Sequence, residues 1–456
     1  MLEVVVLAAG QGTRMNSQKS KVLHEILGRP LLGHVLSKAR ALHPDRIVVV
    51  TGHRAEEVET YLQQEGVVFA RQKEQLGTGH AFAQAVPHLD GSGDIVVLCG
   101  DTPLVTTETL QGLLDQHREK QSALTVLTSS LADPTGYGRI LRDNHGNILA
   151  IVEEKVATEE QKAIREFNSG VYVMDPKAKA LVQEITDGNG DREYYLTDLI
   201  ELYRKRGSRV DAFHIRDSAE LQGVNDRTQL ADAARVMRQR INRQWMKLGV
   251  TLLDPDSTSI DDTVSIGRDT TLGFGVQLIG KTQLGEGVSV GPFSVLIDTV
   301  VEDGAQIKSH SVIESSRLAR QSQVGPFARL RPGTQLAEEV HVGNFVEIKN
   351  SSLGKGTKAG HLAYVGDAQI GVGVNIGAGT IVANFDGAKK HPTHIDDQAF
   401  IGSNSVLIAP IRIGREAMVA AGSAVTQDVP EGDLAVARGR QENKAGLARK
   451  RLQKTS

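Results

Sequence analysis

The sequence predicts two domains, a Rossmann-like α/β domain followed by an all-β parallel β-helix built from hexapeptide repeats. The α/β prediction comes from short aliphatic runs that alternate with amphipathic segments through the first half of the chain. The β-helix prediction comes from apolar residues that recur at every sixth position after Ile260. A chain of 456 residues is also too long for one compact core, which supports a division into domains.

The strands and helices of the α/β domain, which we place at residues 1–229, follow from these aliphatic runs. The predicted strands lie at residues 2–7, 46–50, 67–70, 94–98, 124–128, 148–152 and 170–174. The predicted helices lie near residues 31–41, 55–64, 78–85 and 107–118. This alternation predicts a sheet with right-handed crossovers. Ligands of such sheets bind beyond the C-terminal strand ends, where the strand order reverses.

The turn after the first strand carries two glycines, Gly10 and Gly12, and is followed by the cations Arg14 and Lys21. Its spacing fits neither the dinucleotide fingerprint nor a P-loop. The glycines still let backbone N–H groups approach an anion closely, and the two cations add fixed positive charge. An ordinary tight turn between strand and helix remains the alternative.

Two later segments favour phosphate chemistry. Residues 72–79 place a small, polar turn at a predicted helix start, which suits a base or a phosphate. Residues 96–101 end a predicted strand with Asp101, and a carboxylate there is a natural Mg²⁺ ligand beside substrate phosphates. A turn or helix-capping aspartate is the alternative interpretation of Asp101.

Between the domains, apolar residues recur at helical spacing and predict one amphipathic helix over residues 230–250. These residues are Leu230, Ala234, Met237, Ile241, Trp245 and Leu248. We interpret the segment as a connecting helix, because the six-residue period begins almost directly after it. The alternative is a core helix of the first domain.

The six-residue period over residues 251–456 fits neither the period of a helix nor that of a half-buried strand. Its members are Ile260, Ile266, Leu272, Leu278, Leu284, Val290 and Leu296, then Val324, Leu330, Leu336, Val342 and Ile348, then Ile401, Leu407, Ile413, Val419 and Val425. Each strand of a β-helix points one aliphatic residue inward, and the coils must stack to bury them. A β-sandwich is the alternative, but its strands would alternate at two.

The period breaks between residues 296 and 324, 348 and 376, and 382 and 401. Because stacked repeats tolerate insertions as outside loops, often on the binding face, we expect loops and a site at these breaks. His361 lies at one of them, among cationic and polar residues. A histidine in a partly exposed cleft can take a proton near neutral pH, although a lone histidine is more often structural.

Composition narrows the function classes. The net charge of −3 gives no global basic field for nucleic acid. The single cysteine, Cys99, excludes an intramolecular disulfide. The apolar run at residues 4–9 is too short for a membrane span and lacks the flanks of a signal peptide. We therefore expect a cytoplasmic protein with no nucleic-acid partner and no membrane span.

These motifs together resemble a known family. Residues 7–14 followed by Lys21 are similar to the signature of sugar-1-phosphate nucleotidylyltransferases, with Ser20 where that family commonly has proline. Further matching motifs are Gln72, Gly77-Thr78, Gly100-Asp101, Gly136-Tyr137-Gly138, Glu153, Asn168 and Gly223-Val224-Asn225. With the hexapeptide repeats, the whole chain resembles the bifunctional enzymes in which N-acetylglucosamine-1-phosphate uridyltransferase is fused to glucosamine-1-phosphate acetyltransferase.

The resemblance implies two reactions. In the first, acetyl-CoA acetylates glucosamine-1-phosphate. In the second, UTP uridylylates N-acetylglucosamine-1-phosphate, which gives UDP-N-acetylglucosamine and pyrophosphate. UDP-N-acetylglucosamine is a precursor for peptidoglycan and lipopolysaccharide. It also implies Mg²⁺ as cofactor and a left-handed β-helix that forms a homotrimer. One alternative is a single-activity nucleotidylyltransferase with a regulatory or trimerising β-helix. Another is a non-enzymatic scaffold, which would not need Arg331, Lys349, His361 and Lys390 in one region.

The resemblance further implies a role for each matching residue. The catalytic residues are His361 as general base and Glu347 as supporting carboxylate in acetyl transfer, with Arg14 and Lys21 in uridylyl transfer. The UDP-N-acetylglucosamine site comprises Leu7, Ala8, Ala9, Gly10, Lys21, Gln72, Gly77, Thr78, Cys99, Gly100, Asp101, Gly138, Glu153, Asn168 and Asn225. Asp101 and Asn225 bind Mg²⁺. The glucosamine-1-phosphate site comprises Arg331, Lys349, Tyr364, Asn375 and Lys390.

The acetyl-CoA site implied by the resemblance comprises Ala378, Asn384, Phe385, Ser403, Ala421 and Arg438. Phe385 stands where the family usually has tyrosine, which keeps stacking but removes a hydroxyl hydrogen bond. The basic tail from Arg438 to Ser456, whose last cation is Lys454, is either a disordered solvated end or begins over the phosphates of coenzyme A.

Overall fold

The computed structural model describes residues 1–187 and 193–452, so Lys454 of the basic tail lies outside the described residues. The chain divides into two compact units, Met1–Met237 and Arg238–Ser456. Within the described residues, no helix combines the length and apolarity that a membrane crossing requires. The predicted domain bounds of 1–229, 230–250 and 251–456 stay predictions.

The first unit contains a mixed sheet of nine strands. Seven lie in the order Val210–His214, Leu124–Ser130, Glu166–Met174, Asp94–Cys99, Leu2–Ala8, Arg46–Thr51 and Val68–Arg71, and Arg139–Arg142 and Ile148–Val152 pair beside them. Glu166–Met174 runs antiparallel to both neighbours, and Leu2–Ala8 pairs in parallel with Arg46–Thr51 and Asp94–Cys99. The strand order therefore reverses at Leu2–Ala8, and the expected ligand position lies at its C-terminal end. A separate hairpin joins Glu25–Ile26 and Arg29–Pro30.

Helices cover this sheet. The α-helices are Leu31–Ala41, Ala55–Leu62, Thr78–Ala85, Thr107–Glu119, Glu159–Lys162, Ala178–Leu181 and Asp198–Lys205. Single 3₁₀ turns lie at Thr13–Met15, Lys21–Leu23, Val86–His88, Glu154–Val156, Val182–Glu184 and Ser218–Leu221. The predicted strands and helices are all present, with ends that differ by a few residues. The strand Val210–His214 was not predicted because Asp211 and His214 interrupt its apolar pattern.

The second unit is a parallel β-helix with three faces, each an all-parallel sheet. Face 1 contains Thr251–Leu252, Thr271–Leu272, Ser289–Val290, Gln306–Ile307, Gln323–Val324, His341–Asn344, Lys358–His361, Asn375–Ile376, Phe400–Ile401, Met418–Val419 and Leu434–Ala435. Face 2 contains Ser259–Ile260, Gln277–Ile279, Val295–Ile297, Val312–Glu314, Arg329–Leu330, Glu347–Lys349, Tyr364–Gly366, Ile381–Ala383, Val406–Ile408 and Ala424–Val425. Face 3 contains Ser265–Ile266, Gln283–Leu284, Val300–Val301, Arg317–Leu318, Gln335–Leu336, Ser352–Leu353, Ala368–Ile370, Thr393–Ile395 and Ile411–Ile413.

The six-residue series forms the core of this unit. Every residue of the predicted series is buried in one continuous hydrophobic cluster. Ile260 pairs with Leu278, and Leu278 pairs with Leu296, so each inward residue stacks on its equivalent in the next coil. The β-helix is confirmed, and parallel pairing throughout excludes the β-sandwich.

The breaks in the period are mostly shortened corners. Between Leu296 and Val301 the corner turns at Asp298 (φ 47°), and between Ile348 and Leu353 it turns at Asn350 (φ 45°). Asn and Asp tolerate this left-handed conformation, and each of these corners spans one residue fewer than the regular period. The expectation of an inserted loop was wrong at these corners. It is met at residues 384–392, which separate Ile381–Ala383 from Thr393–Ile395.

The helix between the units runs from Arg227 to Lys247 and begins before the predicted start at residue 230. Leu230, Ala234 and Met237 pack with an apolar cluster of the first unit. Ile241 and Trp245 pack against the core of the β-helix. The boundary between the units therefore falls within this helix. A short helix, Leu447–Leu452, lies in the tail.

Candidate active sites

A cavity of about 310 Å³ opens at the C-terminal ends of Leu2–Ala8 and Asp94–Cys99. The predicted nucleotide-site residues that line it are Leu7, Ala8, Ala9, Gly10, Lys21, Gln72, Gly77, Thr78, Cys99 and Asp101. Residues that line it without having been predicted are Val22, Gln75, Ala81 and Glu193. Arg14 is an exposed residue of the turn Thr13–Met15 and is not part of this lining.

Lys21, Asp101 and Asn225 meet at the edge of the cavity. The Lys21 ammonium donates to Oδ2 of Asp101 and to Oδ1 of Asn225, the latter at 3.1 Å. The N–H of Val224 donates to the carbonyl oxygen of Asp101 (2.9 Å), which pins the two segments together. Two oxygens thus converge on one cation, and Mg²⁺ prefers such ligands when substrate phosphates complete its shell. Among residues 1–187 and 193–452, no group of three or more His, Cys, Asp or Glu side chains could hold a metal unaided.

The turn at residues 72–79 is locked to the segment that follows residue 193. The N–H of Gly79 donates to the carbonyl oxygen of Tyr194 (2.7 Å), and the N–H of Tyr194 donates to that of Leu76 (2.8 Å). Gly77 has φ 108°, and a Cβ on it would lie 2.5 Å from the oxygen of Tyr194. A side chain at residue 77 would therefore break this pairing. Buried Gln72 donates through Nε2 to the carbonyl oxygen of Gly77 at 3.0 Å.

Gly138, Glu153 and Asn168 lie side by side. The N–H of Asn168 donates to the carbonyl oxygen of Gly138 (2.9 Å), and a Cβ on Gly138 would lie 3.3 Å from Glu153. The Asn168 Oδ1 accepts from the N–H of Gly170 and from the Tyr172 hydroxyl, both at 3.0 Å, which leaves its NH₂ group for a ligand. Burial raises the pKa of Glu153.

Thr197 and Cys99 each make a hydrogen bond near these residues. The Thr197 hydroxyl donates to Glu153 at 3.2 Å, a contact that sequence reasoning missed because residue 197 stands in no recognised motif. The Cys99 thiol donates to the carbonyl oxygen of Gly170 at 3.4 Å, and burial raises the pKa of this thiol to about 12. Cys99 therefore stays protonated and unreactive near neutral pH. The N–H of Gly100 bonds the carbonyl oxygen of Leu7 at 2.9 Å, joining the two strand ends.

In the second unit, three cations gather where face 2 meets face 3. Lys390 lies beside Lys349 and lowers the pKa of Lys349, with a further contribution from Arg331. Arg331 donates to Glu347 at 3.0 Å. Lys390 also lines a polar cavity of about 450 Å³ together with Asp367 and other polar residues. Like charges held this close favour an anion between them, and a phosphate suits the cluster.

The inserted loop is tied to this corner. The side chain of Asn384 donates to one oxygen of Asp367 and that of Asn350 to the other, both at 2.6 Å. Within the loop, the backbone of Lys389 and the ring of His391 donate to Asp386 and hold the pKa of Asp386 well below its usual range. Phe385 is 59% exposed, and its backbone pairs with that of Lys390.

His361 lies on face 1, at its edge with face 2. Its Nδ1 is hydrogen-bonded to Oδ1 of Asn344, whose position pairs with it across the sheet. Because an amide oxygen only accepts, Nδ1 carries the proton, and Nε2 is left free to accept one. Asn344 was not predicted.

The predicted sugar-phosphate residues are divided between two faces. Asn375 is on face 1, whereas Lys349 and Tyr364 are on face 2 and Arg331 follows a face 2 strand. The chain therefore gathers Arg331, Lys349 and Lys390 but leaves Asn375 on another side of the prism.

Four of the six predicted acetyl-CoA residues stack in successive coils, whereas Asn384 and Phe385 lie on the inserted loop. The carbonyl oxygen of Ala378 accepts from the N–H of Asn404 (2.7 Å), and that of Ser403 from the N–H of Gly422 (2.8 Å). Arg438 donates to the carbonyl oxygen of Ala421 at 2.7 Å. Ala378, Ser403, Ala421 and Arg438 thus form one line along the prism.

An exposed aromatic ladder follows the edge between faces 1 and 2. We name it the aromatic ladder, and its members are Phe274, Phe293, His310, Phe327 and Phe345. Their successive ring centroids are 5.1, 5.2, 4.9 and 5.4 Å apart. Phe327 and Phe345 remain 48% and 56% exposed, which is unusual for large apolar side chains in a row.

Comparison with known proteins gives matches for both units. Residues 4–162 match the model of a MobA-like NTP transferase domain, and residues 392–427 match that of a hexapeptide repeat of succinyl-transferase. The chain is 52% identical over 450 residues to a bifunctional protein GlmU of Thermus thermophilus, covering 98% of each chain. It is 47% identical over 443 residues to a protein of the same name from a Geobacillus species, covering 96% of each. A solved UDP-glucose pyrophosphorylase complexed with UDP-glucose superposes with a TM-score of 0.43 at 20% identity, covering 52% of this chain and 98% of that one.

Proposed function

The chain belongs to the family of bifunctional GlmU proteins, and from this premise we propose how its residues carry out the two reactions of that family. It is an enzyme with N-acetylglucosamine-1-phosphate uridyltransferase and glucosamine-1-phosphate acetyltransferase activities, and its product UDP-N-acetylglucosamine serves cell-wall synthesis. Enzymes of this family use a divalent metal, with UTP and acetyl-CoA as co-substrates.

Uridylyl transfer takes place in the cavity of the first unit. The turn at residues 72–79 binds the uracil base, and Gly138, Glu153 and Asn168 bind the sugar. A phosphate oxygen of N-acetylglucosamine-1-phosphate attacks the α-phosphorus of UTP, and pyrophosphate leaves. The attacking phosphate is already anionic, so no general base is needed. Lys21 and Arg14 neutralise charge on the phosphates, and positioning supplies most of the rate.

The divalent metal of this reaction is Mg²⁺. Asp101 and Asn225 would hold it, because their oxygens already converge on the ammonium of Lys21. When bound, it would supply positive charge that stabilises the phosphate oxygens. The ammonium of Lys21 would then bind the phosphates instead of Asp101.

Acetyl transfer takes place on the β-helix. Arg331, Lys349 and Lys390 bind the phosphate of glucosamine-1-phosphate, and the line from Ala378 to Arg438 binds acetyl-CoA. Nε2 of His361 takes the proton of the sugar amine as the nitrogen attacks the thioester carbon, and the thiolate of coenzyme A leaves. Asn344 holds the ring so that Nε2 faces the substrate.

The active form is a homotrimer of parallel prisms. Asn375 and His361 lie on face 1, whereas Lys349 and Tyr364 lie on face 2, so a neighbouring prism can complete each acceptor site. The exposed aromatic ladder supports this assembly, because burying half-exposed phenylalanines between prisms is favourable by about 25 cal/mol per Å².

The main support for this proposal is that each unit contains its own group of polar side chains, and that the two groups suit different chemistry. Lys21, Asp101 and Asn225 suit phosphate chemistry, and His361 with Asn344 suits proton transfer. The test measures thiol release from acetyl-CoA with glucosamine-1-phosphate, and pyrophosphate release from UTP with N-acetylglucosamine-1-phosphate, on the purified full-length chain. Both reactions are expected. Pyrophosphate release without thiol release would favour a single-activity nucleotidylyltransferase with a regulatory or trimerising β-helix.

A further inference from the structure

The carboxamide of Gln72 is held in one orientation by two acceptors. Its Nε2 lies 3.0 Å from the carbonyl oxygen of Gly77 and 3.0 Å from Nδ1 of His80. A carbonyl oxygen only accepts hydrogen bonds, so the group that faces Gly77 is the NH₂ of the carboxamide. Gln72 is only 4% exposed, yet it lines the cavity of the first unit.

This orientation decides what Gln72 offers a ligand. Both N–H bonds of its carboxamide are used inside the protein, and Oε1 remains, which can accept but cannot donate. Uracil carries an N–H donor at ring position N3, whereas cytosine carries an unprotonated nitrogen there. An acceptor that faces N3 therefore attracts uracil and repels cytosine.

His80 supports this orientation through its own protonation. Its Nδ1 must be unprotonated to accept from Gln72, so the ring proton lies on Nε2. The amide nitrogen of Gln84 lies 3.1 Å from Nε2 of His80 and donates to the carbonyl oxygen of His80 at 3.4 Å. The Gln84 amide therefore has to turn over before its oxygen accepts the ring proton. His80 and Gln84 are one turn apart on the helix Thr78–Ala85, and the ring of Tyr194 lies 6.3 Å from that of His80.

We propose that His80 is a positioning residue that sets the nucleobase specificity of uridylyl transfer. By accepting from Gln72, it keeps the carboxamide oxygen toward the base, so the cavity takes a base with an N–H at N3 and disfavours cytosine. This inference rests on the proposed function, because it takes the cavity to be the UTP site.

The test compares kcat/KM for pyrophosphate release from UTP and from CTP, each with N-acetylglucosamine-1-phosphate, in full-length variants. His80→Leu removes one of the two acceptors, so only the carbonyl oxygen of Gly77 still holds the NH₂ of Gln72, and turning that NH₂ toward the ligand costs less. We expect kcat/KM to fall about tenfold with UTP and to rise with CTP. His80→Asn should keep the preference for UTP, because its amide oxygen can replace Nδ1. His88→Leu changes a histidine outside the cavity lining and is the matched control. This variant should also keep the preference for UTP.

If kcat/KM fell by the same factor with UTP and with CTP in His80→Leu, the proposal would be overturned, because a merely structural role of His80 predicts that result. Loss of the UTP preference in His80→Asn would also overturn it. Full preference for UTP in Gln72→Ala would show that the base is read elsewhere, which refutes this inference and leaves uridylyl transfer intact. An unmodified chain that releases no pyrophosphate from UTP would instead refute the proposed function.

Discussion

The backbone N–H of Ser20 donates to the carboxylate of Glu57 at a distance of 3.0 Å. Ser20 is buried and has φ −54° and ψ 137°, angles that a proline would also adopt. It stands where related nucleotidylyltransferases commonly have proline. We therefore expect this hydrogen bond to restrain the backbone that presents Lys21, as the ring of a proline would.

Glu57→Ala removes this restraint and should lower kcat/KM of uridylyl transfer about fivefold, the effect of one partly exposed hydrogen bond worth about 1 kcal/mol. Ser20→Pro in the same chain should restore most of the activity, because proline fixes the same φ. Steady-state pyrophosphate release measures both, with acetyl transfer as the control that should not change. Unchanged uridylyl transfer in Glu57→Ala, or no restoration by proline, would refute the role given to this contact.

Asp198→Asn should stabilise the first unit at alkaline pH. Burial, with a contribution from Glu201, raises the pKa of Asp198 from 3.8 to about 6. The folded state therefore binds the proton of the Asp198 carboxyl more tightly than the unfolded state does. This proton binding stabilises the fold fully below pH 3.8, and the stabilisation is lost as the pH rises through about 6. Asparagine has no such dependence. We expect Asp198→Asn to raise the free energy of unfolding by on the order of 2 kcal/mol at pH 8. The start of the helix Asp198–Lys205 offsets part of the cost of burying the charge, which limits this increase.

The measurement is urea unfolding of the full chain, followed by circular dichroism at pH 4 and pH 8. The gain from Asp198→Asn should disappear at pH 4, where the aspartic acid is mostly protonated in the folded state. A gain of the same size at both pH values, or a loss at pH 8, would contradict the assignment of a raised pKa to this carboxyl.

Much of the fold could be predicted because its signals are local. The inward series from Ile260 onward follows directly from the requirement that stacked coils bury one aliphatic residue per side. The shortened corners at Asp298 and Asn350 were missed because a slip in the period does not by itself distinguish the loss of one residue from an inserted loop. The antiparallel direction of Glu166–Met174 was missed because alternation of strands and helices does not give strand direction.

Phe385→Tyr should lower KM for acetyl-CoA two- to threefold with kcat unchanged, because the hydroxyl adds one exposed hydrogen bond worth about 0.5 kcal/mol. Phe385 is 59% exposed on the inserted loop, so the added group needs no rearrangement. Phe385→Leu is the paired control and should raise KM, since it removes the stacking surface. The role of Phe385 would be wrong if KM rose in the tyrosine variant or stayed constant in both.

Phe327→Asp should dissociate the proposed homotrimer. The residue lies between His310 and Phe345 in the aromatic ladder, and an aspartate there would bury a charge wherever prisms meet along this edge. Sedimentation velocity should report a shift to smaller species, and acetyl transfer should fall with it while uridylyl transfer remains. Met246→Asp, at an exposed apolar residue outside the ladder, should change neither. An unchanged mass for Phe327→Asp would place the trimer contact on another surface.

The candidate sites were less predictable than the fold. Residues 7–10 and 72–78 could be singled out because glycine-rich turns after strands are visible in sequence. Asn344, Thr197 and His80 could not, because each acts through a hydrogen bond to a functional residue at least 8 positions away in the sequence. Common polar residues of this kind carry no motif, and only the folded contacts identify them.

The division of the two reactions between Asp101 and His361 is tested most directly by assaying both activities in two full-length variants. His361→Ala should lower acetyl transfer at least about 100-fold, the usual contribution of a general base, and leave pyrophosphate release from UTP unchanged. Asp101→Ala should lower pyrophosphate release by a similar factor and leave acetyl transfer unchanged. Acetyl transfer that survives in His361→Ala, or loss of both activities in either variant, would contradict this division.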